Sequence, residues 1–214
     1  MPKMSGLFIT FEGGEGVGKT TLIKHLETKL SSLGYTVLCT REPGGTAFAE
    51  RLRAILVDEE LDAWTESLLY AAARSDHVRK KIIPALQAGA IVLCDRYFDS
   101  TLAYQGGGHG LDLTKLKQLC RLATHGLKPK LTLLLDGEPE NTLHKATVLN
   151  RFERSPLDFH VRVRKTFLKL AKSEPKRFVI FKAHSSPAEV LAERFLRKSV
   201  SPFLNKLPRK KGNQ

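Results

Sequence analysis

Eight residues near the start of the chain, Gly13-Gly14-Glu15-Gly16-Val17-Gly18-Lys19-Thr20, have the types and order needed to hold a chain of phosphates. Their spacing, G-x-x-x-x-G-K-[ST], is that of a phosphate-binding loop. Glycines let main-chain N–H groups close around an anion, and a helix starting at the loop turns its positive end toward it. Lys19 adds a mobile charge for β- and γ-phosphates, and the Thr20 hydroxyl is a hard oxygen that can ligate Mg2+. With Thr21 the cradle runs from Gly13 to Thr21. The competing reading is a glycine-rich turn with a chance Lys-Thr, and the flanking elements decide between the two.

Other chemistry-bearing residues recur after apolar runs. Asp95 is placed to hold Mg2+ through water and Arg96 to clamp a second phosphate. Tyr104 and Gln105 offer a ring and an amide to a sugar or a base. Tyr70 and Arg74 lie one helical turn apart, where an aromatic plane beside a guanidinium can stack a base and donate to its carbonyl. Such a pair is also common on plain helix surfaces. Arg51 and Arg53, after the turn Thr40-Arg41-Glu42-Pro43-Gly44-Gly45-Thr46, are equally balanced between phosphate ligands and surface charges.

Five apolar runs must position these groups: Leu7–Glu12, Thr36–Thr40, Ala90–Asp95, Leu131–Asp136 and Phe178–Lys182. Helical patterns separate them, which implies a parallel sheet covered on both faces, with ligands beyond the carboxyl ends of the strands. Glu12, Arg41-Glu42-Pro43, Asp95-Arg96 and Asp136 stand at those ends. A helix is expected over Ala47–Val57, and a long one over Asp62–Ala88, with Glu66, Tyr70, Arg74, His77 and Lys81 on one face and Pro84 kinking or breaking its end. Gly106-Gly107-Gly108 lacks a following Lys-Ser/Thr, so it reads as a turn away from the pocket. Residues 141–156 are charged and weakly periodic, as in a cover over a cleft. The helix Leu157–Lys172 carries a core stripe of Phe159, Val163, Phe167 and Leu170. Ser185-Ser186-Pro187 signals a helix start in a loop placed beside the phosphate loop to meet adenine through its backbone. His184 stands alone and receives no catalytic role.

The chain of 214 residues suffices for one α/β domain, taken as 1–205, with a basic, flexible tail over 206–214. No apolar run has the length of a membrane span, and the first residues lack a signal's apolar region. Cys39, Cys94 and Cys120 show no metal-like spacing and suit the core of a cytoplasmic protein. The net charge is +13, and seven of those charges lie from Arg194 onward. A single-strand-binding surface interleaves aromatics with its basic residues. Only Phe195 and Phe203 follow Arg194, so the tail reads as a solvated, frayed end; a polyphosphate site also needs a basic cleft, and the remaining excess does not demand a nucleic-acid partner.

Taken together, the loop Gly13–Thr20, the run Thr40–Thr46, Asp95-Arg96-Tyr97 and the stretch Ser100–Gly108 resemble the bacterial-type thymidylate kinase family, from about Leu7 to Leu196. The resemblance implies the P-loop nucleoside monophosphate kinase fold, α/β with a five-stranded parallel sheet in order 2-3-1-4-5 flanked by helices. It implies transfer from ATP to dTMP, giving dTDP, with Mg2+ held by Thr20 and Asp95. It places Glu15 at the deoxyribose 3′-hydroxyl, Tyr70 on thymine, Arg74 on the thymine carbonyl and Arg96 on the dTMP phosphate. Ser100, Tyr104 and Gln105 fall around base and sugar, and Pro43 in the dTMP-side loop. Catalytic help is expected from Lys19, Asp95, Arg96 and the lid cations Lys145, Arg151 and Arg154. The family is commonly a homodimer built through its long helices. The lid departs from the family's Asp-Arg-x-Glu, reading Asn150-Arg151-Phe152-Glu153, and has Lys145 where an arginine is common. The alternatives are a kinase for another nucleoside monophosphate and, of another class, a P-loop protein that binds nucleic acid through its tail.

Overall fold

A computed structural model describes residues 4–145 and 154–209. Its centre is a sheet of five parallel strands: β1 (Leu7–Glu12), β2 (Val37–Arg41), β3 (Ile91–Asp95), β4 (Leu131–Asp136) and β5 (Phe178–Lys182), in the order β2-β3-β1-β4-β5. Both expected edges of the second run move by one residue, and β3 begins one later than expected. The fold anticipated from the sequence is the one observed.

Side chains alternate across each strand, so every apolar run feeds two cores. On one face Ile9, Phe11, Leu93 and Leu133 meet α1 (Lys19–Ser32) and, after β5, the helix Ala188–Phe195. On the other, Phe8, Val92, Cys94 and Leu134 meet three packed segments. These are the long helical segment before β3, the helix Leu113–Ala123, and the helix Leu157–Ser173 with its stripe of Phe159, Val163, Phe167 and Leu170. Each fully buried leucine or phenylalanine contributes about 1.5–3 kcal/mol, so the central strands are the least movable part of the molecule.

In chain order the remaining helices are α2 (Ala47–Asp58), α3 (Ala63–His77), α4 (Ile83–Gln87), α5 (Phe98–Thr101), α6 (Leu113–Ala123), α7 (Pro139–Thr142), α8 (Leu157–Ser173), α9 (Ala188–Phe195) and α10 (Ser201–Leu204). Between α3 and α4 the chain does not break at Pro84. It widens into a π turn, Val78–Ile82, where Ile83 N–H donates to Val78 O, five residues back. The wide turn absorbs the missing proline donor, and the segment stays helical across it.

Gly106–Gly108 also differs from expectation. It forms the end of a second π turn, Leu102–Gly108, that continues α5 instead of turning away. A Cβ on Gly107 would lie 2.2 Å from Thr166 Oγ1, and one on Gly108 2.3 Å from Phe159 Cε2. Gly107 and Gly108 serve close approach of this segment to α8, and Gly106, where a Cβ would lie 2.4 Å from Leu113 Cδ2, its approach to α6.

The chain stays packed as far as Arg209, whose guanidinium lies 5.6 Å from the Tyr35 ring centroid. Leu207 joins the core beside α9.

One buried ion pair ties the acceptor side of the sheet to its far edge. Arg177, just before β5, gives Nη1 to Asp99 Oδ2 at 2.6 Å and Nη2 to Asp99 Oδ1 at 2.9 Å, and Nη1 also reaches Thr132 Oγ1 at 2.8 Å. Arg177→Met should destabilise the protein by about 3–5 kcal/mol, because Asp99 is left buried without its cation. Urea unfolding measures this, and an unshifted midpoint would show that the pair is not structural.

Candidate active site

β1 ends at Glu12 and delivers the glycine loop to the sheet's carboxyl edge. Gly13 has φ 139, and a Cβ there would lie 2.4 Å from Leu135 O, so no other residue fits. Gly18, at φ 91, caps α1. Lys19 folds back, and its Nζ donates to Gly14 O at 2.7 Å and Gly13 O at 3.2 Å. Burial, then the nearby Arg96 charge, lowers the Lys19 pKa against the pull of Asp95, Glu15 and Glu12. An ammonium held this way gains by meeting an anion.

Arg96, after β3, sits at φ 66, a conformation that a non-glycine residue holds only when its surroundings impose it. Its N–H donates to Phe11 O at 2.9 Å. Its Nη1 donates to Gly13 O at 2.9 Å and Ser100 Oγ at 3.2 Å, and Nη2 to Glu15 Oε1 at 2.8 Å. The same Glu15 oxygen accepts from Tyr104 OH at 2.8 Å. Burial alone would raise Glu15, but Arg96 and Lys19, with the Tyr104 hydroxyl, outweigh it and hold the carboxyl down to about 2.

Thr20 Oγ1 donates to Asp95 Oδ2 at 3.0 Å, and Asp95 Oδ1 is buried with no hydrogen-bond partner among the described residues. Two hard oxygens beside a phosphate cradle, one of them unsatisfied, fit a Mg2+ that keeps several waters and takes its other ligands from phosphates.

Beside Arg96 opens a second, more enclosed cavity. Glu15, Pro43, Tyr70, Arg74, Ser100, Tyr104 and Gln105 line it, so the structure brings together all the residues expected around the acceptor. The face of α3 predicted from spacing turns inward: Glu66 and His77 are fully buried, Arg74 nearly so. Arg74 Nε donates to Glu42 Oε2 at 2.6 Å, and His77 Nδ1 lies 3.1 Å from Glu42 Oε1. A ring nitrogen facing a carboxylate carries a proton, and on the ring's other side Nε2 lies 2.7 Å from the Thr40 hydroxyl. Gln105 Nε2 donates to Glu66.

Sequence reasoning passed over several residues here. Glu42 stood at a strand end, but only the fold shows it seating Arg74. Thr101, inside the run Ser100–Gln105, lines the cavity with a buried hydroxyl that has no hydrogen-bond partner among the described residues. Arg53 and Arg51, balanced in the sequence, separate: Arg53 lines the cavity and donates to Pro43 O at 3.0 Å, while Arg51 lies over the Phe48 ring on the surface. His184 donates to Gly16 O at 2.9 Å, which sets its loop against the phosphate loop.

Lys145, in the short turn Leu143–Lys145, lines the open cleft with Gly16–Thr21, Asp95 and Arg96. Arg151 and the run Asn150–Glu153 lie outside the described residues. Asp136 is turned away from the cleft chemistry, with both oxygens on Arg164, at 2.6 and 3.0 Å.

Comparison with known proteins gives one consistent result. The family profile described as thymidylate kinase matches residues 11–193. The chain is 54% identical over 187 residues to a thymidylate kinase of Synechococcus sp. (strain JA-2-3B'a(2-13)), covering 87% of this chain and 91% of that one. It is 48% identical over 193 residues to a thymidylate kinase of Deinococcus radiodurans, covering 88% and 94%. Among solved structures, the thymidylate kinase of Ehrlichia chaffeensis superposes with a TM-score of 0.77 at 34% identity, over 90% of this chain and 97% of that one.

Proposed function

The chain belongs to the thymidylate kinase family and phosphorylates dTMP to dTDP with ATP and Mg2+, and from that premise we propose how its residues divide the work. One observation carries the assignment: Lys19 and Arg96 both donate to Gly13 O and both line one cleft, and Arg96 also lines the enclosed cavity. Two phosphates gripped by these cations meet end to end above the same carbonyl.

The amides of Gly13–Thr21 and Lys19 take the β- and γ-phosphates of ATP, and Arg96, helped by Arg53, takes the phosphate of dTMP. An acceptor phosphate oxygen then attacks the γ-phosphorus as the bond to the ADP oxygen breaks. The acceptor is already an anion, so no side chain has to remove a proton from it. The residues' task is alignment and offsetting of charge. Mg2+, when bound by Thr20 and Asp95, offsets charge on the donor phosphates.

On the base side, Tyr70 stacks on thymine. Arg74 commits Nε to Glu42 and, among the described residues, has only long contacts at its other nitrogens, 3.4 Å to Tyr97 O and 3.9 Å to Cys120 Sγ. That edge is the donor for a thymine carbonyl, with the Thr101 hydroxyl and Gln105 beside it. Glu15 and Tyr104 face the sugar, where Glu15 accepts from the 3′-hydroxyl. The His184–Pro187 loop borders the adenine. Lys145, Arg151 and Arg154 supply cationic help that the phosphate loop, which has no arginine, does not.

No described helix is long and apolar enough to cross a membrane. We assign the enzyme to the cytoplasm and to a homodimer. The dimer would cover exposed apolar side chains on these helices: Trp64 and Leu68 on α3, Phe48 and Ile55 on the adjoining α2, and Leu122 on α6, 75% exposed.

Arg74→Ala should raise KM for dTMP by about tenfold or more and leave KM for ATP within about twofold; equal losses on both nucleotides would remove thymine from this site. Lys145→Ala should lower kcat more than it weakens ATP, and an unchanged kcat excludes the residue from the transfer step. Light scattering on the purified enzyme should give twice the chain mass, and Leu68→Glu should halve it. A monomeric wild type would refute the dimer.

A further inference from the structure

Glu12 touches neither nucleotide in this arrangement, yet it is fully buried at the end of β1. Its Oε1 accepts the Tyr97 N–H at 2.8 Å, and its Oε2 meets the Ser100 hydroxyl at 2.6 Å. Both contacts fall just after Arg96 in the chain, one on the backbone and one beside its guanidinium. Tyr97 follows Arg96 directly, and Ser100 Oγ is itself an acceptor for Arg96 Nη1. The carboxyl group therefore braces the segment that leaves a turn held at φ 66 and the hydroxyl its guanidinium meets.

A buried carboxylate ordinarily has a cation against it. Among the described residues none is in ion-pair contact with Glu12. Arg96 gives Nη2 to Glu15, Lys19 gives Nζ to the Gly13 and Gly14 carbonyls, and Arg177 is spent on Asp99. The charged and titratable groups around Glu12 are Arg96 in its turn, Lys19 and Glu15 across the loop, Asp99 from α5, and Cys94 from β3. Asp95, also on β3, is turned to Thr20. Burial and then Asp99 outweigh Ser100, Arg96 and Tyr97, and push the Glu12 carboxyl up to about 8. In the neutral form Oε1 still accepts from Tyr97, and the short contact to Ser100 holds with the acid's own O–H donating.

We propose that Glu12 is a positioning residue that works as a neutral acid, fixing the Arg96 turn toward the acceptor phosphate without competing with that phosphate for the guanidinium. Glu15 already supplies one carboxylate to Arg96, and an ionised Glu12 adds a second negative charge beside the same cation. The inference rests on Arg96 being the acceptor-phosphate residue.

The test compares wild type, Glu12→Gln, Glu12→Ala and Arg96→Ala in steady-state assays with dTMP and ATP between about pH 6.5 and about 9.5. Glutamine reproduces the neutral acid, with one acceptor and one donor. At neutral pH, Glu12→Gln should keep KM for dTMP within about twofold, and Glu12→Ala should raise it about tenfold with KM for ATP unmoved. As pH rises through about 8 the carboxyl ionises, so the wild-type KM for dTMP should climb while that of Glu12→Gln stays level. A glutamine variant as impaired as the alanine one overturns the inference, because the charge is then required. Parallel pH profiles for wild type and Glu12→Gln overturn it as well. If Arg96→Ala leaves KM for dTMP unchanged, the role of Arg96 fails. If Arg96→Ala is impaired and both Glu12 variants are silent, that role stands and the inference falls. Should Glu12→Ala not fold, Glu12→Gln and the two pH profiles decide alone.

Discussion

Two cations share one main-chain oxygen, and the rest of the site follows from that arrangement. Lys19 Nζ and Arg96 Nη1 both donate to Gly13 O. Like charges a few ångströms apart repel by about 4 kcal/mol at the effective dielectric of a protein surface. The fold tolerates this because Glu15 stays ionised beside both, and because Gly13 leaves its carbonyl open to each. What remains is a positive field that only anions relieve. Adding phosphates costs little reorganisation, since the donors already point where charge will gather.

A second network prepares the base end. Thr40 at the end of β2, His77 on α3 and Glu42 in the following turn form a chain whose last member fixes Arg74 Nε. Gly45 is part of this fit, for a Cβ there would lie 2.4 Å from His77 Nε2. The turn after β2 and the inward face of α3 are therefore one unit. Asp99 and Arg177 do similar work behind the Arg96 turn, anchoring α5 to the strand at the opposite edge. The pocket is thus held by polar pairs buried between elements, while the two apolar cores hold the elements themselves.

Much of this was legible in the sequence because it rests on local rules. The loop Gly13–Thr20 needs particular residues at particular offsets, and buried parallel strands read as unbroken apolar runs. The face of Glu66, Tyr70, Arg74 and His77 followed from helical spacing. What spacing could not supply was direction in three dimensions. Arg51 and Arg53 are equivalent on paper, and only the packing of α2 sends one to the cavity and the other to solvent. Glu42 and Glu12 looked like any acid at a strand end until their partners, dozens of residues away, were in place. The glycines 106–108 were read as a turn because glycine has two uses, conformational freedom and absence of bulk, and sequence does not say which is in play. Pro84 was read as a kink or break for a related reason. The helix does not break there, because a π turn ending two residues earlier accommodates the missing donor, and nothing local announces it.

The close contact of Gly107 and Gly108 with α8, and of Gly106 with α6, also bears on how the base cavity can change, because Tyr104 and Gln105 line it from the same π turn. On that side, backbone lies against helix, and any larger residue must displace a whole element. Elsewhere the lining includes the half-buried side chains of Tyr70, Arg53 and Val57; the first two are committed to thymine and phosphate, which leaves Val57 open to a change of size. The cavity therefore has one rigid wall and one adjustable wall. Redesign toward bulkier or smaller bases has room at Val57 on α2, and little beside Tyr104 and Gln105, whose π turn is pressed against its neighbours.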